Sequence, residues 1–599
     1  MSDQTDIAGA APRLSPTGAI GMVFREARPF RLRLLVASFA CLVAVAMELV
    51  PFAVVWLVVR EFIDGTANQA NLIWAASVAM GSIIVATVAN EFALAQSHIA
   101  AFDTLYALRV RLIGHLARLN LSVLRKIRSG EAKELVINEP ERQELLIAHA
   151  VPEGVSAVLV WLAVSGWLLL VDWPLAVACI VPTLLSFAII SRAMATTAPL
   201  TAQYQSKSAA MNAAIVEFVS GIPTLKAMAA APGHDAKVTR AVSSYCDTAT
   251  DISRQYLPLG SVFFALVSAN LCFILPVGLW RLQSGAVDLG TMSLFLILGP
   301  HYSAPLLRLF NLMHHMTHVA TGAQRLQRTL NIPIQQSAET AVAFEHYDVG
   351  IEDVSFAVGE RVILKNVSLA LRAGGTAALV GPSGAGKTTL AGLVARFQDV
   401  TGGRITIGGH DIRDIPLAQL MDTVGFVFQD SFIFSDTIAN NLRMARPNAS
   451  AAQLEQALGA AQALAFVEAL PDGLQTRVGA GGVVLSGGEK QRLTIARALL
   501  RDTPVLLLDE ATAATDPACE ADIRRALANL MAGRTIIVIA HRLHAIQDSD
   551  PICVLEAGEI VERGTHTDLL GQDGLYARMW DDFQCIGIQN LATADRHIS

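Results

Sequence analysis

The sequence predicts a multidomain protein in which an all-α membrane domain with six helical spans is fused to a C-terminal α/β domain. Of its 599 residues, 53% are hydrophobic and only 16% are charged, whereas soluble proteins average about 25% charged residues. Most of the apolar excess lies before residue 311, which excludes a wholly soluble or disordered chain. After Pro333, short apolar runs alternate with helical windows, and this alternation is typical of a covered, mostly parallel sheet.

Six stretches are long and apolar enough to cross a membrane, because a helix needs about 20 such residues to span the hydrocarbon layer. They are residues 34–59, 72–89, 155–171, 173–190, 257–280 and 289–307. Asp172 alone separates the third stretch from the fourth, which predicts a tight helical hairpin. Glu48 lies in the first stretch, where a carboxylate is costly unless it faces protein or water. It is therefore a functional candidate, or an acid paired with a neighbouring helix.

The connections between these stretches predict the topology. Residues 90–154 and 191–256 form two long, helix-rich connections, whereas the other three are short. Lys and Arg are concentrated in residues 1–33 and in the two long connections, while the short ones contain only Arg60 and Arg281. By the positive-inside rule, both termini and both long hairpins are cytoplasmic, which predicts a multi-pass protein of the inner (plasma) membrane.

The predicted domains follow from these patterns. They are a cytoplasmic N-terminal segment (1–33), the membrane domain (34–325), a linker (326–348), the α/β domain (349–585) and a C-terminal tail (586–599). Within the α/β domain, residues 376–380, 423–428, 505–508 and 535–540 are predicted strands.

A glycine-rich loop at residues 381–389, reading GPSGAGKTT, provides the sharpest chemical signal. It directly follows the strand 376–380 and precedes a helical segment at 390–397, as in P-loop NTPases. Its glycines allow backbone N–H groups to turn towards phosphate oxygens, and the helix start adds partial positive charge. Lys387 would neutralise the outer phosphates, and the Thr388 hydroxyl would hold Mg²⁺.

Two acids follow the apolar strand 505–508. Because ligands bind at the carboxyl ends of parallel strands, Asp509 is expected to support Mg²⁺. Glu510 is expected to act as general base on an attacking water.

Further motifs resemble those of ATP-binding cassette (ABC) proteins. Residues 485–492, LSGGEKQR, are similar to the family's signature motif. Gln429 resembles the Q-loop residue, Asp516 lies in a D-loop-like stretch, and His541 resembles the switch histidine. With the six predicted spans, the whole chain is similar to a half-transporter of the exporter-type (type IV) fold. The segment 217–226 resembles part of the family's second cytoplasmic hairpin, and 133–144 is expected to include the first coupling helix.

The resemblance implies ATP and Mg²⁺ as cofactors and a defined set of site residues. Glu510, His541 and Gln429 would act in hydrolysis. Thr388, Gln429 and Asp509 would hold Mg²⁺. The nucleotide would be bound by Gly381, Ser383, Gly384, Ala385, Gly386, Lys387, Thr388, Thr389, Gln429, Asp509, Ser486, Gly487, Gly488 and Glu489.

Two positions depart from the family pattern. The family usually has an aromatic residue that stacks on adenine where this chain has Val358, so Tyr347 becomes a candidate for that contact. Exporters of this fold usually have a Glu shortly before the signature, whereas this chain has Ala480. The contact between the cassette and the membrane domain is therefore expected to differ.

The resemblance further implies a dimer, homomeric or heteromeric, because the signature of one cassette closes on nucleotide held by the other. Its partners would be a second half-transporter chain, the lipid bilayer and a small-molecule substrate, and no basic domain suggests nucleic acid. Import of a metal siderophore and export of a lipid, drug or peptide are equally compatible with the sequence. An ATP-gated channel or a regulator is the alternative class. His301, His314, His315 and His318 could bind metal, although no acid or thiol nearby completes a site.

Overall fold

The computed structural model of the protein describes residues 16–127, 129–227, 236–509, 517–540 and 543–584. It divides into two compact units. The helical unit comprises Met1–Ala117 and Ile127–Ile332, and the sheet unit comprises Arg118–Lys126 and Pro333–Ser599. The chain therefore crosses between the units at residues 117–118, 126–127 and 332–333.

The helical unit is α-helical over most of its described length. In chain order, its α-helices, together with the short α4 of the sheet unit, are α1 (Pro16–Glu26), α2 (Arg31–Ile63), α3 (Gln69–Leu116), α4 (Leu121–Lys126), α5 (Ser129–Lys133), α6 (Glu139–Glu141), α7 (Val151–Val171), α8 (Trp173–Ala227), α9 (Ala236–Ser268), α10 (Asn270–Gln283), α11 (Leu289–Leu298) and α12 (Ala304–Leu330). Two π-helical segments, Glu134–Asn138 and Leu145–Ala150, flank α6.

Small side chains allow α2 and α3 to pack closely. Ala40 and Cys41 of α2 and Ala93 of α3 form one buried cluster. Small residues at a helix interface let the two backbones approach closely. Such close packing is important in a membrane, because lipid is as apolar as the side chains and the hydrophobic effect does not drive helices together there. The outward surface of the unit is apolar instead, as at Phe39 and Leu170, so it is suited to lipid contact.

The helices confirm a helical membrane region. Among the described residues, α2, α3, the 130–171 segment and α8 are each long and apolar enough to cross a membrane. The pair α9 and α10, bent by 43°, makes a fifth span if counted as one. The sixth predicted span lies on α11 and α12, which a 3₁₀ turn at Gly299–His301 separates. The total of six spans remains a prediction.

Buried polar side chains connect the two helix breaks. Asn270 follows the bend between α9 and α10 and is fully buried. Its Nδ2 donates to the Gly299 carbonyl and to the Ser303 hydroxyl oxygen, each at 3.1 Å. Backbone groups freed at a break in a membrane helix need such partners, so Asn270 stabilises the break between α11 and α12.

A partly buried ion pair joins two of the short connections. Asp172, the single residue between α7 and α8, accepts a hydrogen bond from the Leu175 amide at 3.1 Å. Its other carboxylate oxygen lies 2.5 Å from Arg281 at the end of α10. The predicted tight hairpin at Asp172 is confirmed.

The sheet unit contains a mixed six-stranded sheet and a separate antiparallel one. The six-stranded sheet has the order β12-β11-β3-β10-β9-β6, in which only the β11–β12 pair is antiparallel. The four-stranded antiparallel sheet has the order β2-β1-β4-β5, and β7 pairs with β8. The strands are β1 (Val349–Val358), β2 (Arg361–Leu371), β3 (Thr376–Val380), β4 (Gly402–Ile407), β5 (His410–Asp411), β6 (Val424–Val427), β7 (Asp436–Thr437), β8 (Arg477–Val478), β9 (Val505–Asp509), β10 (Thr535–Ile539), β11 (Ile552–Glu556) and β12 (Glu559–Gly564).

Helices cover the larger sheet. They are α13 (Lys387–Val394), α14 (Leu417–Thr423), α15 (Ile438–Arg443), α16 (Ala451–Ala460), α17 (Leu464–Glu468), α18 (Gly487–Arg501), α19 (Pro517–Met531) and α20 (His566–Gly571). The largest apolar cluster includes Leu390 of α13 with Leu379 of β3 and Val354 of β1. The four predicted strands are confirmed within one residue at either end. The antiparallel sheet was not predicted.

A buried arginine fixes residues 335–336 of the sheet unit to the end of α13. Arg396, two residues after α13, is 4% exposed. Its guanidinium donates to the Asp399 carboxylate at 2.9 Å, to the Gln336 carbonyl at 2.9 Å and to the Ile412 carbonyl at 3.3 Å. Gln335 completes the contact, because its Nε2 donates to the Arg396 carbonyl at 2.6 Å. Residues 335–336 are therefore held to the end of α13.

Replacing Arg396 by alanine is expected to destabilise the sheet unit by about 2 kcal/mol, because buried acceptors lose their donor. The thermal transition of the purified full chain should move to lower temperature. Arg404→Ala is the matched control, since Arg404 forms an ion pair with Glu352 in which both side chains are at least half exposed. Such surface pairs contribute little. Equal transitions for both variants would contradict the proposed anchoring.

Candidate nucleotide-binding site

The glycine-rich loop follows β3, which lies inside the six-stranded sheet between β11 and β10. Residues 377–380 of β3 are fully buried, so the strand presents the loop at a fixed place. The chain then passes through residues 381–386 into α13, which begins at Lys387. The predicted order of strand, loop and helix is confirmed. Backbone N–H groups at such a helix start are available to phosphate oxygens.

Two glycines of the loop are required by the structure. Gly381 has φ +141°, and a Cβ there would lie 2.0 Å from the Leu555 carbonyl oxygen of β11. Gly386 has φ +102°, and a Cβ there would lie 2.7 Å from the Leu364 side chain of β2. A side chain at either position would displace the loop from the sheet. The loop therefore keeps this shape only with glycine at both ends.

Lys387 lies within the loop. Its side chain is almost fully buried, and its Nζ donates to the carbonyls of Gly381 at 2.7 Å and Pro382 at 2.9 Å. A lysine ammonium has three donors and no acceptor, so the loop carries a fixed positive charge. This is the chemistry that a bound phosphate group requires.

Thr388 and Asp509 lie close together, as the sequence predicts. The Thr388 hydroxyl donates to the Asp509 carboxylate over 3.4 Å, although the two residues are far apart in the sequence. Asp509 is the last residue of β9 and is 7% exposed. A hydroxyl beside a buried carboxylate is a set of hard oxygen donors, which suits Mg²⁺. These two residues therefore fit the ion that an ATP site needs.

Gln429 follows β6 at the same end of the sheet. Strand β6 pairs in parallel with β9, with Val427 opposite Leu508, and Gln429 is exposed two residues later. The other predicted catalytic residues, Glu510 and His541, and the D-loop residue Asp516 lie outside the described residues.

The signature motif forms an exposed helix start. Ser486 is the N-cap of α18, and its hydroxyl accepts from the Glu489 amide, while the Glu489 carboxylate accepts from the Ser486 amide at 2.8 Å. This capping box fixes the local backbone. Ser486 and Gly487 face solvent, whereas Gly488 is buried. Ser486 therefore has a structural role as the cap of α18. Ser486 and Gly487 are also exposed, so a partner can reach them.

A partly buried arginine holds the loop that follows Gln429. Arg497 of α18 donates to the Phe432 carbonyl at 2.6 Å and to the Asn441 carbonyl at 2.8 Å. Burial lowers the pKa of the Arg497 guanidinium. Phe432 itself remains exposed. Nearby, the Ala480 amide donates to the Ser435 hydroxyl at 3.0 Å.

The structure identifies a short helix that the sequence analysis did not single out. Helix α4 belongs to the sheet unit, and the guanidinium of its Arg125 lies 5.6 Å from the centre of the Phe428 ring. Leu121 of α4 lines a small cavity with Thr388 of α13. Residues 133–144, which are expected to include the first coupling helix, lie in the helical unit, and that expectation stays a prediction. The only sequence signal for this helix is the short segment of α4 itself, in which apolar residues are followed by Arg125 and a lysine.

The structure places Tyr347 at the opposite end of the strands from the glycine-rich loop. Its carbonyl accepts from the Thr535 hydroxyl at 3.1 Å, and Thr535 begins β10 opposite the first residue of β9. The glycine-rich loop starts at the other end of the neighbouring β3, about 13 Å away along the strands. The Tyr347 ring packs on Phe344, with ring centres 5.6 Å apart. These contacts do not favour Tyr347 as the replacement for the missing aromatic, and that role stays a prediction.

Val358 itself lies near the loop. It ends β1 in the hairpin to β2 and is 42% exposed. Its strand neighbour Phe356 pairs with Leu364, which contacts Gly386. An aliphatic surface is therefore present where the family has an aromatic ring.

Of the four histidines near the sixth predicted span, the structure describes the side chain of His301. The His301 ring packs on Phe52 of α2, with ring centres 4.5 Å apart. The side chains of His314, His315 and His318 lie outside the described residues. Metal binding by these four histidines stays a prediction.

The chain carries a phosphate-binding type of loop at the carboxyl end of a central, parallel strand, and it also carries several apolar spans. These two features define the class of membrane-embedded nucleotide-binding proteins. Comparison with known families narrows this class. Residues 35–305 match the family described as ABC transporter transmembrane region, and residues 364–513 match the family described as ABC transporter. The chain belongs to the ABC transporter family and carries an ABC ATP-binding domain.

Its relatives include importers and exporters. The chain is 35% identical to the mycobactin import ATP-binding/permease protein IrtA of Mycobacterium tuberculosis, over 95% of this chain and 66% of that protein. It is 34% identical to IrtA of Mycolicibacterium smegmatis, over 93% of this chain and 65% of that protein. The chain thus spans slightly less than two thirds of these relatives. It is 30% identical to the ATP-dependent lipid A-core flippase of Desulfotalea psychrophila, over 94% of this chain and 99% of that protein.

A solved structure shares the fold. It is a bacterial Atm1-family ABC exporter with ATP bound, which is 28% identical, with a TM-score of 0.79 over 92% of this chain and 98% of that one. The fold class is therefore confirmed as a helical transmembrane region fused to an ABC domain. The exporter fold is that of a half-transporter, which generally dimerises.

Gly381→Ala is expected to reduce ATP affinity more than tenfold, because its Cβ would collide with the Leu555 carbonyl and displace the loop. Gly384→Ala is the matched control. Gly384 also has positive φ, +84°, but no atom lies within 4 Å of its added Cβ. Binding of a fluorescent ATP analogue to the full chain measures both variants. An affinity loss that is equal in the two would show that backbone strain matters and the close approach does not.

Proposed function

We propose that the chain is one half of a dimeric transporter that uses ATP hydrolysis to move a small molecule across a membrane. The observation that carries the proposal is the pairing of Thr388 with the buried Asp509 beside the Lys387 loop. In a chain with apolar spans, ATP hydrolysis at such a site can drive conformational changes of the membrane domain.

The site residues have distinct proposed roles. The loop amides and Lys387 bind the phosphates, with Gly381 and Gly386 allowing the approach. Thr388, Asp509 and Gln429 would hold Mg²⁺, which would supply positive charge beside the transferred phosphoryl group. Glu510 accepts the proton of the attacking water, and His541 orients the outer phosphate.

Two chains are needed for a complete site. The exposed residues Ser486 and Gly487, followed by Gly488 and Glu489, would contact nucleotide held by Lys387 of a second copy or of a related chain. The capping box at Ser486 supports this role, because it fixes the helix start before a partner arrives. ATP binding would close the two sheet units on each other, and hydrolysis would release them.

We further propose an inner (plasma) membrane location, with both termini and both long helical connections in the cytoplasm. The support is the Lys and Arg bias described above. This places ATP binding on the cytoplasmic side, where ATP is available.

The direction of transport has two candidates. Import of a metal siderophore is favoured by the similarity to the mycobactin importers. Export of a lipid, drug or peptide is favoured by the lipid A-core flippase and by the Atm1-family structure. An ATP-gated channel is the alternative class, and it would pass substrate without a fixed ratio to ATP hydrolysed.

Sealed vesicles with ATP on one chosen side test the direction. Labelled ferric siderophores and lipophilic cations should be compared at equal concentrations. Movement away from the ATP side supports export, and movement towards it supports import. Flux that continues down a gradient without hydrolysis would favour the channel.

Glu510→Gln is expected to lower ATP turnover by at least a hundredfold while ATP binding stays intact, because the general base is lost and the phosphate loop is unchanged. Phosphate release and binding of a fluorescent ATP analogue check the two properties separately. Glu520→Gln provides a control acid that lies further along the chain on α19. Full turnover in Glu510→Gln would remove the proposed base.

A further inference from the structure

Two histidines and two glutamates form a cluster in the helical unit that the proposed ATP chemistry does not use. His98 lies on α3, and His149 lies in the π-helical segment Leu145–Ala150. Glu144 precedes that segment, and Glu153 is in the first turn of α7. All four side chains are between 27% and 39% exposed, so solvent and small ions can reach them. No sequence motif predicted this cluster, because its two histidines lie in separate, distant segments.

Each imidazole has a carboxylate close to its Nδ1 atom. His98 Nδ1 lies 3.0 Å from Glu144 Oε1, and His149 Nδ1 lies 2.7 Å from Glu153 Oε1. The Glu153 carboxylate accepts the Nδ1 proton of His149, so in the neutral His149 ring the lone pair lies on Nε2. Neither of these contacts uses Nε2. Carboxylate–histidine pairs of this kind commonly support histidines that bind metal through the other nitrogen.

The separation of the rings suits one shared metal ion. The two ring centres are 5.0 Å apart, with the planes at 81°. Two imidazoles bound to one tetrahedral ion through metal–nitrogen bonds of about 2.1 Å have ring centres about 5.2 Å apart. An edge-to-face contact without metal allows about 4.5 to 7 Å. The distance therefore permits the ion, and the paired carboxylates favour it.

Charge balance also favours a cation. Among the described residues, the ion pairs of Glu144 and Glu153 are those with His98 and His149, and these histidines are cationic only when protonated. With both imidazoles neutral, the two carboxylates have no cationic side chain within ion-pair distance in the described part of the chain. A divalent cation between the rings would bring the cluster to neutrality.

The backbone that carries His149 is held firmly. Glu139, between the two π-helical segments, has a fully buried carboxylate that lies 2.9 Å from Arg325 of α12 and 3.2 Å from Arg142. Gln143 Nε2 donates to the Val319 carbonyl of α12 at 3.2 Å. π-Helical turns inside longer helices often mark functional sites. Here the wide turn presents His149 to α3 from a fixed support.

We propose that His98 and His149 bind a divalent transition-metal ion of borderline softness, such as Zn²⁺, Ni²⁺ or Cu²⁺, through their Nε2 atoms. Glu144 and Glu153 are positioning residues that hold the rings. No group of three or more His, Cys, Asp or Glu side chains in the described part of the chain is placed to hold a metal. The site therefore supplies two ligands and leaves the remaining positions to water or to donor atoms of an incoming ligand.

Cu²⁺ is the probe for this site, because it binds nitrogen ligands most tightly among the first-row divalent ions. The full chain in lipid nanodiscs is titrated with Cu²⁺, and pulsed electron paramagnetic resonance counts the coordinated imidazoles. The wild type is expected to show a site with two imidazoles. His98→Gln and His149→Gln should each reduce that count to one, and the double variant should bind one Cu²⁺ fewer per chain.

Variants of the two carboxylates test their positioning role, and a histidine elsewhere in the chain provides a matched control. Glu144→Gln and Glu153→Gln should each weaken Cu²⁺ binding by about 10–100-fold while two imidazoles remain. His346→Gln is the control, because His346 in the sheet unit also faces a carboxylate, Asp348 at 3.4 Å. It should change neither the affinity nor the imidazole count.

Two results would overturn the proposal. One is an unchanged Cu²⁺ stoichiometry and imidazole count in the double variant, and the other is a wild type without a two-imidazole signal. Binding of an ATP analogue by the same samples reports that the variants are folded. That readout also separates the two proposals, because a chain that binds Cu²⁺ but no ATP would contradict only the proposed transport function.

Discussion

The structure of the ATP-binding half depends on the burial of residues 377–380 of β3. Its backbone is hydrogen-bonded on both edges, to β10 and β11, and its side chains are enclosed on both faces. A strand held in this way cannot shift its register without exposing an apolar face. The loop that follows therefore starts from a fixed point, and its first glycine lies against the carbonyl of Leu555 on the neighbouring strand. Lys387 and Thr388 take their positions from that contact.

Much of this arrangement could be predicted because its signals are local. The glycine-rich loop, the apolar strand before it and the acids after 505–508 are each contiguous in the sequence. The antiparallel sheet was missed because β1 and β2 are irregular, with register shifts between Ile351 and Val354 and again near Phe356. Such bulges break the two-residue alternation by which strands are recognised.

Other features could not be predicted because they arise only when distant segments pack together. Val358 was recognised as an unusual residue, but the sequence could not show that Tyr347 lies at the opposite end of the strands. The contact of α4 with Phe428 joins segments that are far apart in the chain. The pairing of His98 with His149 likewise depends on α3 and the π-helical segment lying side by side.

By contrast, the break in the sixth predicted span had a visible local cause. Gly299 and Pro300 are adjacent in the sequence, and both residue types disfavour a helix interior. The structure places a 3₁₀ turn there. What the sequence did not reveal is the polar support of the break by Asn270, which comes from the preceding pair of helices.

The path of the chain has a practical consequence for anyone who wishes to produce the ATP-binding half alone. Its compact body is assembled from two pieces, 118–126 and 333–599, between which a long part of the helical unit intervenes. The Gln335 amide donates to the Arg118 carbonyl at 3.0 Å, so the two pieces are joined directly. A recombinant fragment that begins at residue 333 would lack α4, and with it the Arg125 guanidinium over the Phe428 ring and the Leu121 side of the cavity that Phe426 also lines. Fusing residues 118–126 back through an engineered linker would restore both contacts.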